Sequence, residues 1–238
     1  TTPFTQTIYI RVTNTITNTF VDTESFDVIV NPEPVVIAPT NLEICDDSLD
    51  GSATNGLSQN IDLTTQDTAI LNGLNPLDYT ITYHTSTTDA DNGSNAITSP
   101  FSNTTPFNQT IFIRVVNNTT SCINSRLSFD VIVNPLPEAT QVPDIILCDL
   151  GQDGNTRDGI TQDIDLSVYT PIILGTQSPA QYEISYHTSA EDANTGNNPI
   201  IGIFSNTNSN SQTIYTRVTD RVTKCYNTTV QFNIIVNY

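Results

Sequence analysis

Two acidic loops and four cysteines are the residues of this 238-residue chain whose types and spacing could do chemistry. Asp46-x-Ser48-x-Asp50-Gly51 and Asp149-x-Gly151-x-Asp153-Gly154 set carboxylates at alternate positions before a glycine. Short calcium loops use such a pattern to aim hard oxygen ligands at one point while the glycine permits a sharp turn. Asp62 and Asp165, in the matched phrases NIDL and DIDL, could supply a further carboxylate from the next strand. The twelfth loop position, a bidentate Glu in an EF-hand, is Leu57 in one loop and Ile160 in the other, so neither is an EF-hand. The expectation is calcium as a structural staple on Asp46, Ser48, Asp50 and Asp62, and on Asp149, Asp153 and Asp165. The competing reading is an Asx-rich turn whose side chains bond their own backbone.

Cys45 and Cys148 stand 103 residues apart, and so do Cys122 and Cys225. Four cysteines allow three pairings. If the cysteine of the later pair in one unit bridged to the next unit, Cys45 would need a partner at position 19, which is Thr19. Pairing within units, Cys45 with Cys122 and Cys148 with Cys225, leaves no cysteine over. That is the expected arrangement, and it implies an oxidising, extracytoplasmic setting. Four buried free thiols are the alternative.

The other reactive residue types point away from catalysis. His84 and His187 are the only histidines and lie 103 residues apart in different units, so they form no local cluster and read as hydrogen-bonded strand-end residues. No GxSxG elbow and no glycine-rich phosphate loop is present. Arg11, Arg114 and Arg217 recur on the strand face of Tyr9, Phe112 and Tyr215, where stacking and charge neutralisation are the structural reading and a ligand-binding face the functional one. The chain is expected not to be an enzyme.

The elements that must carry these residues come from a repeat. Gln109–Asn134 (QTIFIRVVNNTTSCINSRLSFDVIVN) reads as one hairpin, and Gln6–Asn31 and Gln212–Asn237 repeat it without a gap. A fixed period sets the architecture before any other assignment. It divides the chain into a C-terminal remnant over 1–34, a complete repeat over 35–137 and another over 138–238. A chain that opens in mid-unit is expected to be a piece of a longer repetitive protein. Ile8, Ile10 and Val12 alternate against Tyr9 and Arg11, the period-two signature of a strand. Strands are expected near Leu42–Cys45, Ser58–Leu63, Asp78–Thr85 and Ala96–Phe101, with helical turns over Thr65–Leu71 and a polar turn over Thr88–Gly93. The third unit repeats the order. Asn31-Pro32-Glu33-Pro34 and Asn134-Pro135-Leu136-Pro137 are stiff joints. About seven short strands in about 100 residues fit tandem immunoglobulin-like β-sandwich repeats, with strand order left open.

Composition narrows the partners. Seven Lys and Arg against 25 Asp and Glu give a formal charge of −18, a poor surface for nucleic acid. No run approaches the roughly 18 apolar residues of a membrane span.

The phrases CDDSLDG, IDLTTQD, DYTITYHTSTTDADNG, QTIFIRV and DVIVNPLP stand in order in the second unit, and ILCDLGQDG, QDIDL, YEISYHTSAEDANTG and QTIYTRV in the third. In these the chain resembles the repeats of giant cell-surface gliding-motility adhesins of Bacteroidota, of the SprB type, which are type IX secretion substrates. The resemblance implies a structural or adhesive segment of a large exported protein. It would be extracellular, at the cell surface and associated with the outer membrane. Its partners would be neighbouring repeats, surface polysaccharide or another extracellular ligand, and the motility or secretion machinery. It also implies O-glycosylation in Asp-Ser/Thr-apolar triplets, here at Ser48 and Thr68. Leu150 and Gly151 depart from the more acidic loop of that family. The reading from a different class is a spacer or carbohydrate-binding module of a secreted polysaccharide-degrading enzyme.

Overall fold

The computed structural model describes residues 3–238; Thr1 and Thr2 of the remnant lie outside the described residues. Strand outweighs helix, 36% to 14%, which fixes the all-β class, and the elements recur in two tandem repeats as expected from the period. The remnant is one antiparallel hairpin, β1 (Phe4–Thr13) and β2 (Phe20–Val30). The second repeat runs β3 (Leu42–Cys45), α1 (Asp67–Leu71), β4 (Tyr79–His84), α2 (Thr87–Asn92), β5 (Asn108–Asn117) and β6 (Ile123–Asn134). The third runs β7 (Ile145–Cys148), α3 (Thr170–Leu174), β8 (Tyr182–His187), α4 (Ala190–Thr195), β9 (Ser211–Asp220), β10 (Tyr226–Asn227) and β11 (Gln231–Asn237).

Each repeat is organised on one sheet, β3-β6-β5-β4 in the second and a mixed β7-β11-β9-β8 in the third. β8 pairs antiparallel with β9, while β11 pairs parallel with β7, Ile234 opposite Ile145 and Asn237 opposite Cys148. The first strand of the repeat therefore lies beside its last. β10 and β11 together stand where β6 stands in the second repeat. The break between them falls where Thr216 replaces Ile113, and its buried hydroxyl donates to the Val230 carbonyl at 2.8 Å.

The core lies between the sheet and a second layer of short pieces. Ile111, Ile113 and Val115 alternate inwards on β5 and Phe129 and Val131 on β6, as period-two patterning with one buried face requires. In the third repeat Ile214, Val218, Phe232 and Ile234 do the same against Leu166 and Ile173. The expected strands at Ser58–Leu63 and Ala96–Phe101 are reduced to a single bridge, Ile61 with Phe101, matched by Ile164 with Phe204. Asp62 ends the chance of a longer strand there, because its side chain caps the 3-10 turn Leu63–Gln66 that leads into α1. The polar turn expected at Thr88–Gly93 is the short helix α2: the Ser86 hydroxyl accepts from Asp89 N–H, and Gly93 closes it at φ 69°.

By contacts the chain forms two compact units. One holds residues up to Leu42 with 59–103 and 108–131; the other holds 43–58, 104–107 and 132–238. The acidic loop of the second repeat thus belongs to the same unit as the whole third repeat.

Candidate functional site

Within that second unit Cys45, at the end of β3, is bonded to Cys225, on the turn between β9 and β10, with S–S 2.05 Å and Cα–Cα 5.5 Å. This overturns the expected pairing within repeats, Cys45 with Cys122 and Cys148 with Cys225; Cys122 and Cys148 are free thiols. Thr19 excludes a bond from Cys45 to the hairpin of the preceding repeat, but says nothing of the following one, and the bond runs there. The physical reason is the packing of Glu43–Ser58 in the same unit as Ile132–Tyr238.

Both cysteines are aimed by local structure. Asp220 organises the turn before Cys225: its Oδ1 accepts Val222 N–H at 2.7 Å and Thr223 N–H at 3.1 Å. Lys224 then adopts φ 64°, and Asp220 N–H closes on the Cys225 carbonyl at 2.9 Å. Asn117 repeats this before Cys122, accepting from Thr119 and Thr120 N–H, with Ser121 at φ 58°. Asn14 repeats it before Thr19. This Asx turn, a side-chain mimic of a backbone turn, was legible in the sequence as Asn or Asp five residues before each of these positions.

On the other partner, Asp46 N–H donates to the Asn134 carbonyl at 2.8 Å, fixing the chain next to Cys45. Asp46 is buried; its Oδ1 accepts Ser48 N–H at 2.9 Å and its Oδ2 accepts Gly56 N–H at 3.1 Å. Gly56, at φ 71°, lies so close to Phe107 that a Cβ would meet its ring at 2.4 Å. Asp149 does the same for Gly151 and Gly159, and chiefly the Gly151 N–H holds its carboxyl below the usual range. Asp50 bonds Ser52 N–H and the Asn55 side chain, with its pKa lowered chiefly by Asn55. Asp153 accepts from Asn155 N–H. Asp62 and Asp165 cap the 3-10 turns by accepting Thr64 and Ser167 N–H, and the hydroxyls of the same two residues, which also donate to them, are the main cause of their lowered pKa. The proposed calcium ligands therefore organise their own loops. Among the described residues no group of three or more His, Cys, Asp or Glu could hold a metal ion. Ser48 and Thr68 are both exposed.

The joints are clamped beside the cysteine turns. Asn124 Nδ2 donates to the Pro34 carbonyl at 3.1 Å and Asn227 Nδ2 to that of Pro137 at 2.9 Å. A cleft of about 340 Å³ beside the disulfide is lined by Asp46, Ser48, Leu136 and Tyr226 among others. Arg217 sits 3.4 Å over the Tyr226 ring and donates to the Ala193 and Asn194 carbonyls at the end of α4. Arg114 caps α2 in the same way. The recurrent arginines thus satisfy helix ends, and Arg11 lies 4.0 Å over Phe20.

His84 and His187 are fully buried. Each Nδ1–H donates to a carbonyl, of Ser94 and Asn197 respectively, at 2.8 Å. Each Nε2 is left to accept a hydroxyl, from Thr82 at 2.9 Å and Ser185 at 2.8 Å. No helix among the described residues is long and apolar enough to cross a membrane.

A chain of tandem β repeats with a disulfide from one repeat to the next is a structural extracellular repeat protein. The profile of the Flavobacterium inter-domain disulphide bond domain matches residues 41–137 and 144–238, and the chain belongs to that family, in two tandem copies. No curated protein matches the sequence. Among solved structures, zebrafish RET cadherin-like domains 1 to 4 align at 13% identity and a TM-score of 0.21, over 90% of this chain and 54% of that one. The chain thus spans about half the length of that structure.

Proposed function

We propose that this chain is a structural and adhesive segment of a giant exported surface protein, a gliding-motility adhesin or surface filament of the SprB type carried through type IX secretion. The observation that carries the reading is the Cys45–Cys225 bond, which stitches consecutive repeats into one covalent array. A shaft needs that property; a freely rotating spacer does not. The resemblance of CDDSLDG, QTIFIRV and DVIVNPLP to adhesin repeats supports the same reading. On it, the array stands at the outer membrane and presents a ligand-binding tip or a sticky shaft to surface polysaccharide.

A second reading, a carbohydrate-binding module of a secreted polysaccharide-degrading enzyme, draws on one feature of the second repeat. A cleft of about 580 Å³ there is lined by Tyr79, Leu74, Thr64, Thr68 and Asp67. Asp67 accepts a short hydrogen bond from Tyr83, and burial raises its carboxyl above the usual range while that bond opposes it. An aromatic ring beside a carboxylate and hydroxyls suits a sugar. Intact mass of the natively produced parent, with deletion of its gene scored for adhesion and gliding, separates the two. Many repeats with loss of surface movement support the adhesin, and a modest chain carrying a hydrolase domain contradicts it.

A further inference from the structure

The Cys45–Cys225 bond closes 180 residues of chain into one loop, and that topology decides what a pull on the chain can reach. We infer that the array is a tension-bearing strap whose extension is capped by its own disulfides, so that load bypasses the elements enclosed between the two bonded cysteines. This rests on the structural-repeat reading and not on the adhesin role.

Force applied at the two ends arrives along the backbone at Cys45, crosses from sulfur to sulfur and leaves at Cys225. α1, β4, β5, β6, β7, β8 and β9 all lie between those residues and are off the path. Of the 238 residues, removing the span of 180 leaves about 58 on the path. At the reach of an extended chain this is roughly 200 Å, against roughly 800 Å for the unbridged chain.

The same arrangement carries into neighbouring repeats. Cys122 sits on the second repeat's counterpart of the turn that presents Cys225, with Asn124 clamped on Pro34 as Asn227 is on Pro137. Cys148 ends β7 as Cys45 ends β3, and Asp149 N–H holds the Asn237 carbonyl at 2.7 Å as Asp46 N–H holds that of Asn134 at 2.8 Å. Each therefore takes the partner its counterpart takes: Cys122 the first cysteine of a preceding repeat, and Cys148 the hairpin cysteine of a following one. Each bond forms from two thiols, which give up two protons and pass two electrons to a disulfide oxidant such as oxidised glutathione. Successive loops then overlap, and the backbone between one bond and the next is the stretch from Cys122 to Cys148, 26 positions further on. That stretch is β6, the Asn134-Pro135-Leu136-Pro137 joint and β7. Every two repeats then yield roughly 90 Å and no more. Two such lanes run staggered by one repeat, so rupture of a single bond leaves the other lane intact.

The test is single-molecule stretching of the full chain tethered at its two ends. The oxidised chain should stop at roughly 200 Å and lengthen to roughly 800 Å on reduction, or in the double variant Cys45→Ser, Cys225→Ser. Contour length is read whether or not the variant folds. An oxidised chain that reaches full contour overturns the inference. So does a stop at roughly 290 Å, which bonds within repeats would give. A parent segment carrying one more repeat on each side should, once oxidised, resist alkylation at Cys122 and Cys148. Alkylation of either confines the cap to a single joint and overturns its extension to the array. None of these outcomes depends on whether the parent is an adhesin.

Discussion

His187 is a fully buried side chain whose protonation works against the fold. Burial is the main cause holding its pKa below the ordinary histidine value, and Arg217 acts in the same direction, while the Asn197 carbonyl and Asp192 oppose it. The folded chain refuses a proton that the unfolded chain accepts. Stability is therefore full above about pH 6.5 and falls as the pH drops from there towards the depressed folded value. Denaturant midpoints at about pH 7.5 and about pH 5.5 should differ, and the difference should shrink in His187→Gln. The acidic loops make a second test. Asp46 and Asp50 accept hydrogen bonds from their own loop, and for a purely self-bonded turn the melting temperatures in excess calcium and in chelator agree within about 2 °C. A larger rise with calcium would make the loop a cation site, since a ligand that binds only the folded state raises its stability. At this scale the sequence shows that four cysteines recur in two equivalent positions, and that carboxylates alternate before a glycine. The Asx turns wound by Asn14, Asn117 and Asp220 leave only one mark in it, an Asn or Asp five residues before each of three equivalent positions, because such a turn depends on backbone angles that no periodicity reports.

At the scale of elements, the three hairpins are one sequence in two environments. Ile8 faces Phe26 in the remnant as Ile214 faces Phe232 in the third repeat. The cross-strand bonds Thr7 to Asp27, Thr110 to Asp130 and Thr213 to Asn233 recur at 2.7, 2.7 and 2.8 Å. Yet Phe26 is 51% exposed, while Phe129 and Phe232 are 3% and 1% exposed, because only the complete repeats bring a second layer over the sheet. Phe129→Ala or Phe232→Ala should cost about 3–5 kcal/mol, whereas Phe26→Ala should stay within about 1 kcal/mol. Chemical denaturation of the three variants measures this directly. The strands with strict alternation are legible in sequence; the two weak ones at Ser58–Leu63 and Ala96–Phe101 are not, since Asp62 is committed to a cap and only Ile61 and Phe101 pair. Helix α2 hides behind a polar composition and is recognised only through Ser86 and Asp89 at its start.

For the whole molecule, the period of 103 residues is legible to the residue, but the way successive copies are joined is not. Repetition makes Cys122 and Cys225 equivalent partners for Cys45, and only the three-dimensional neighbourhood of Glu43–Ser58 chooses between them. The choice matters to stability as well as to mechanics. A bond across 180 residues removes much freedom from the unfolded chain, so reduction should cost about 2–5 kcal/mol and lower the melting temperature. The burial of Cys225 should make that reduction slow without denaturant. A charge of −18 on Thr- and Asn-rich strands keeps such an array soluble and self-repelling outside the cell. The measurement that bears most directly on this account is peptide mapping of the unreduced chain after alkylation of free thiols. A linked peptide joining Cys45 to Cys225, with Cys122 and Cys148 alkylated, is the predicted result; peptides joining Cys45 to Cys122 and Cys148 to Cys225 would contradict it.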